Sequence, residues 1–111
     1  MRETVLALTT VPADFDTGTI TTALVESGLV ACVTVFPAVQ SVYRWEGVTE
    51  VSAEQQLLIK TTRDRVDALW LELKARHPYE VPEFVVVPIV AGNPAYLKWV
   101  VDSVGVSQAP E

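Results

Sequence analysis

Cysteine is almost absent from this chain. One residue, Cys32, in 111 cannot form an intrachain disulfide, which fits a reducing compartment. Positive charge is scarce as well: eight Lys and Arg stand against fourteen Asp and Glu, for a net charge of −6. Arg63, Arg65, Lys74 and Arg76 are interleaved with acids and apolar residues. Phosphate contacts need clustered cations, so no nucleic-acid partner is expected. Long apolar runs are missing too. The longest, Phe84 to Gly92 with Pro88 inside it, is far below the roughly 20 residues of a membrane span. The N-terminal MRETVLALTT has no apolar core ahead of a small-residue cleavage site. The expectation is a cytoplasmic protein with no membrane partner. Nor is there a GxGxxG, GxxxxGK[ST], HExxH, CxxC or GxSxG string, so no standard catalytic or cofactor motif marks an enzyme.

What is present is a hydrophobic half of the chain, enough for one modest core and one domain over 1–106. The segment 107–111 reads as a flexible tail. Thr4 to Thr10 is β-branched and apolar, a buried strand. The Val11-Pro12-Ala13-Asp14 stretch breaks it, and Asp14 or Asp16 can cap a helix. Ile20, Ala23, Leu24 and Ser27 then share one helical face, and Gly28 stops the helix. The helix is rich in threonine and needs a sheet to pack on.

Leu29 to Thr61 reads as two long strands joined at Glu46-Gly47. Each arm is roughly 15 residues, or about 50 Å of extended chain, in a domain only some 35 Å across. The hairpin should therefore overhang its own subunit and recruit other copies through exposed edges. Pro37 marks an edge or a bulge. Val39, Ser41, Tyr43 and Trp45 form one face of a period-two alternation. Thr62 is a plausible cap for a second helix with Val66, Leu69, Trp70 and Leu73 on one face, ended by Pro78. Phe84 to Val90 is a short buried strand. Gly92-Asn93-Pro94 is a turn, with Pro94 opening a short helix that aligns Tyr96, Trp99, Val100 and Ser103. The order β-α-β-β-α-β-α is that of the ferredoxin-like split β-α-β, an α+β fold with a four-stranded antiparallel sheet and two helices on one face. Its open face would be buried against other subunits.

The densest functional stretch is His77-Pro78-Tyr79-Glu80-Val81-Pro82-Glu83, stiffened by two prolines between a helix and a strand. His77 there serves either as a partner of the helix C-terminus or as a ligand. Lys60 ends the second hairpin arm, with Glu54 and Glu83 as candidate partners. Tyr43 and Trp45 serve either subunit packing or ligand stacking. Cys32, inside VACVTV, reads as a small buried hydrophobe.

Taken together, Ala31-Cys32-Val33, Ser41-Val42-Tyr43-Arg44-Trp45-Glu46-Gly47, Leu57-Leu58-Ile59-Lys60-Thr61, His77 through Glu83 and Tyr96-Leu97-Lys98-Trp99 resemble the CutA divalent-cation tolerance family. The resemblance implies a tight homotrimer built like the PII signalling proteins. It also implies a link to divalent metals, copper above all, with no cofactor required. In some members a metal site is built from a cysteine at the position of Thr9 and histidines at those of Arg76 and His77. Of these only His77 is kept, so a bound copper(II) would rely on His77 with carboxylates. The alternative is a PII-like sensor whose pocket between subunits is lined by Tyr43, Trp45, Glu54, Lys60, Tyr79 and Glu83.

Overall fold

A computed structural model describes residues 2–105; the expected tail lies outside them. Strand β1 (Thr4–Pro12) alternates fully buried Val5, Ala7, Thr9 and Val11 with half-buried Leu6 and Leu8. One face is thus covered and the other is left open. Helix α1 (Thr17–Glu26) follows, and Asp16 is the residue that caps it, accepting from the Thr19 amide at 3.3 Å and the Thr19 hydroxyl at 2.7 Å. Those bonds to Thr19 hold the Asp16 carboxyl below its ordinary range. Gly28 ends the helix at φ 78°. Its amide reaches Val25 and that of Leu29 reaches Leu24, the paired bonds of a Schellman stop.

The hairpin is β2 (Cys32–Trp45) and β3 (Val48–Thr62). Only Glu46 and Gly47 lie between them, both at positive φ, as a tight hairpin turn demands. The register moves from Phe36 opposite Gln56 to Val39 opposite Glu54, so three residues of β2 span two of β3. The extra residue is a bulge at Pro37-Ala38, where proline would otherwise break the ladder.

Helix α2 (Val66–Arg76) begins later than expected. Thr62 offers it no side-chain cap; a single 3-10 turn, Arg63–Arg65, intervenes. The Thr62 hydroxyl is engaged with Arg2 at 3.0 Å. The helix ends as expected at His77, which is extended ahead of Pro78. Strand β4 (Val85–Pro88) is shorter than the apolar run; Phe84, just before it, packs on the Trp70 ring 5.1 Å away. Helix α3 (Pro94–Ser103) is capped by Asn93, with Pro94 in its first turn. Of its expected face, Val100 is buried with Ala31 and Val104, while Tyr96 and Trp99 are exposed.

The four strands form one antiparallel sheet in the order β2-β3-β1-β4, the ferredoxin-like arrangement. The core joins Ala7, Val11, Leu57 and Ile59 of the sheet to Ile20 and Leu24 of α1 and Leu69 and Leu73 of α2. Burying each of the leucines contributes about 2 kcal/mol. β1 ends with Pro12 opposite Glu54, so the outer part of β3 pairs with β2 alone. This overhang gives extents of 44 × 34 × 23 Å and a radius of gyration of 14.8 Å, above the roughly 13 Å of a compact chain this long. Among the described residues no helix is long and apolar enough to cross a membrane.

Candidate functional site

The bulge decides which side chains meet. On β3 the even-numbered Lys60, Leu58, Gln56, Glu54, Ser52 and Glu50 share the open face. Before the bulge their partners are the even-numbered Cys32, Thr34 and Phe36; beyond it they are the odd-numbered Val39, Ser41 and Tyr43. One inserted residue therefore brings Tyr43 and Trp45 onto the same face as Glu54. The loop from Tyr79 to Glu83 lies against this face and closes a cavity of about 580 Å³. Of the six residues expected at a pocket between subunits, Tyr43, Trp45, Glu54, Tyr79 and Glu83 line this cavity within one chain.

Glu54 is the most enclosed of these, only 5% exposed. Its Oε2 accepts a 2.7 Å hydrogen bond from the Tyr79 hydroxyl. Burial, reinforced by the Glu54 carboxylate, holds the Tyr79 phenol far above its ordinary value of 10.0. Tyr43 is fixed through a 2.9 Å hydroxyl contact with Ser52. Gln56 ties loop to sheet, donating to the Thr9 carbonyl at 2.8 Å and to Glu83 at 3.4 Å. Sequence reading missed this clamp and the contributions of Thr10, Glu50 and Glu80. The signal available was the even spacing of Glu50, Ser52, Glu54 and Gln56, legible only with the bulge's change of face in hand.

Lys60 does not join this group. It pairs with Cys32 and Leu6, six residues along β3 and so roughly 20 Å from Glu54. Its ammonium lies over the Tyr96 ring, 5.7 Å from the centroid, instead of meeting Glu54 or Glu83. Cys32 is half-buried, not fully buried, with its sulfur 3.8 Å from the Tyr96 hydroxyl.

His77 is committed on both ring nitrogens. The Tyr79 amide donates to Nδ1 at 3.1 Å, so Nδ1 carries no proton. Nε2 faces the Thr10 carbonyl at 2.8 Å; a carbonyl only accepts, so Nε2 is the donor. Thr9 does lie beside it, its hydroxyl 3.5 Å from Nε2. Arg76 turns away to pair with Glu72 at 2.7 Å. A metal needs an imidazole lone pair, and the one on Nδ1 is in use. Among the described residues no three His, Cys, Asp or Glu side chains converge as a metal site. The residues at positions 9, 76 and 77 therefore do not fit a copper ion as they stand.

Residues 5–103 match the family model for the CutA1 divalent ion tolerance protein. The chain belongs to the CutA1 family. It is 45% identical over 105 residues to the divalent-cation tolerance protein CutA of Thermus thermophilus, covering 95% of this chain and all of that one. The solved structure of the Thermus protein superposes with a TM-score of 0.87 at 43% identity, over 92% and 99% of the two chains. A CutA from Nostoc described as PII-like superposes at 0.81 with 34% identity, over 89% and 95%. A CutA from Archaeoglobus fulgidus described as periplasmic superposes at 0.84 with 29% identity, over 90% and 97%. The CutA1 match runs from the second residue of β1 to the last of α3, so it spans both the hairpin and the loop.

Proposed function

We propose that this chain acts in divalent-cation tolerance as a cytoplasmic homotrimer that binds a small ligand in the cavity between hairpin and loop, without catalysing a reaction. The buried Glu54 carboxylate, held by Tyr79 at the wall of a 580 Å³ cavity, carries this reading. Cavities of roughly 300–1,000 Å³ suit small molecules. The trimer is supported by the apolar surface one chain leaves open. Phe36, Val42, Val51, Val85, Val87 and Trp99 are all more than 40% exposed, and β2 and β4 end the sheet with unpaired edges.

Sedimentation equilibrium tests the assembly, with three times the 12.2 kDa of one chain expected; a particle of one chain's mass refutes it. The engaged nitrogens of His77 favour a ligand-binding role over direct metal capture. Titration with copper(II) should show no saturable site that His77→Ala removes. A stoichiometric site lost in that variant would return the metal reading to first place.

A further inference from the structure

His77 is the only histidine in the chain, and a metal and a backbone latch would compete for its ring nitrogens. The spacing for an ion is present. The Thr9 hydroxyl lies 3.5 Å from Nε2. Two ligand atoms bound at about 2.0 and 2.3 Å in a tetrahedral site lie roughly that far apart. What is missing is ligand chemistry. A threonine hydroxyl offers no thiolate. Arg76 turns to Glu72 and has no lone pair to give, since a guanidinium only donates.

The tautomer makes the two roles exclusive. A metal takes the lone pair of one imidazole nitrogen and leaves the proton on the other. On the side of Thr9 that nitrogen is Nε2, so the ring of a metal-bound His77 carries its proton on Nδ1. Yet Nδ1 accepts the Tyr79 amide at 3.1 Å, and Nε2 donates to the Thr10 carbonyl at 2.8 Å. An ion on Nε2 would set Nδ1–H against the Tyr79 N–H, donor against donor, and leave the Thr10 carbonyl without its partner. Both bonds of the latch go together. An ion on Nδ1 displaces the Tyr79 amide directly. Tyr79 is also the residue whose hydroxyl reaches the buried Glu54 at 2.7 Å, so freeing its amide loosens the loop from β3.

We infer that His77 holds either the loop or a divalent ion but not both, and that in this chain Thr9 and Arg76 leave it holding the loop. An ion that seizes His77 is then a competitor of the latch and not its support. The inference is independent of what the cavity binds.

Amide hydrogen exchange at Tyr79 reads the latch directly. It is measured on the intact protein at fixed pH, with ethylenediaminetetraacetate and with zinc(II), beside isothermal titration with zinc(II). In the parent, Tyr79 should be equally protected under both conditions, and zinc should show no saturable site. Exchange should rise about tenfold or more in His77→Ala, where the acceptor is gone. His77→Asn should keep most of the protection, because an asparagine oxygen accepts from the amide two residues on. Thr9→Cys combined with Arg76→His supplies the thiolate and a second imidazole; there zinc should bind saturably, and Tyr79 should lose protection as it does. Protection in the parent that falls when the chelator is added overturns the inference. So does equal exchange in the parent and His77→Ala, or saturable zinc binding by the parent or the double variant with Tyr79 still protected. The chelator and zinc arms use the parent alone, so they decide the matter if a variant does not fold.

Discussion

Tyr79 donates its hydroxyl proton across 2.7 Å to Glu54, and this single contact governs both stability and pH response at the site. Hydrogen bonds to charged groups contribute about 1.5–3 kcal/mol, and removing one partner strands the other. Tyr79→Phe should therefore destabilise the fold by about 2 kcal/mol, read as a lower urea midpoint at fixed protein concentration. The pH dependence has a definite sign. The folded phenol is held above the ordinary value of 10.0, first by burial and then by Glu54. The neutral form is favoured in the folded state, so this contribution is whole below pH 10.0 and declines as pH climbs beyond it. Urea melts carried past that value should show the parent losing stability more steeply than Tyr79→Phe. Parallel curves would mean that the hydroxyl is not held as described. His77 sets the other side of the same loop. Its Nδ1 accepts from the Tyr79 amide while Nε2 donates to Thr10, so a residue that reads as a ligand in sequence is here a splint between strand β1 and the loop.

The β2–β3 hairpin sets the geometry of everything around it, and its turn is a weak point. Gly47 sits at φ 81° with nothing near the place a Cβ would occupy. Gly47→Ala thus costs conformational strain alone, about 1 kcal/mol. Glu46 at φ 51° bears the same kind of strain. Glu46→Asn should relieve it and stabilise by about 0.5 kcal/mol, since asparagine tolerates this region. Chemical denaturation of the two variants should move in opposite directions from the parent. The turn itself was legible from Glu46-Gly47, and the bulge from Pro37, because both follow from local backbone rules. The same holds for the Gly28 stop and the Pro78 break. The bulge's consequence was not legible. Whether Tyr43 faces Glu54 depends on how many residues it inserts, and that is fixed by pairing with β3. Within one chain Lys60 is set apart from Glu54 by strand register, which reading the residue types alone does not show. Thr62 looked like a helix cap locally, but its hydroxyl was claimed by Arg2, a partner 60 residues away.

At the scale of the whole molecule, the two faces of the overhanging hairpin differ in kind. One carries Tyr43, Trp45 and Glu54. The other carries Val42 directly opposite Val51, 63% and 59% exposed, with Arg44 and Thr49 as the next pair outward. Beyond Pro12 no β1 residue backs this ribbon, and an isolated two-stranded ribbon is marginal in water. In the proposed trimer its order comes from contact with neighbouring copies, which also gives the exposed valines a purpose. This predicts a separation of two stabilities. Val51→Asp removes almost no contact within one chain, because the side chain is already mostly in water. In the trimer it places a carboxylate in an apolar interface, where desolvation makes it costly. The variant should keep its far-ultraviolet circular dichroism and sediment as a smaller species at concentrations where the parent remains three chains. Its urea midpoint should fall to that of an isolated subunit, since assembly no longer adds mass action to folding. Leu8→Asp, on the open face of the central strand, provides the comparison, because it would damage sheet packing and assembly together. If Val51→Asp remains fully trimeric, the hairpin's valine face is not the surface that joins the subunits, and the sheet's open face between β1 and β4 becomes the one that must do so.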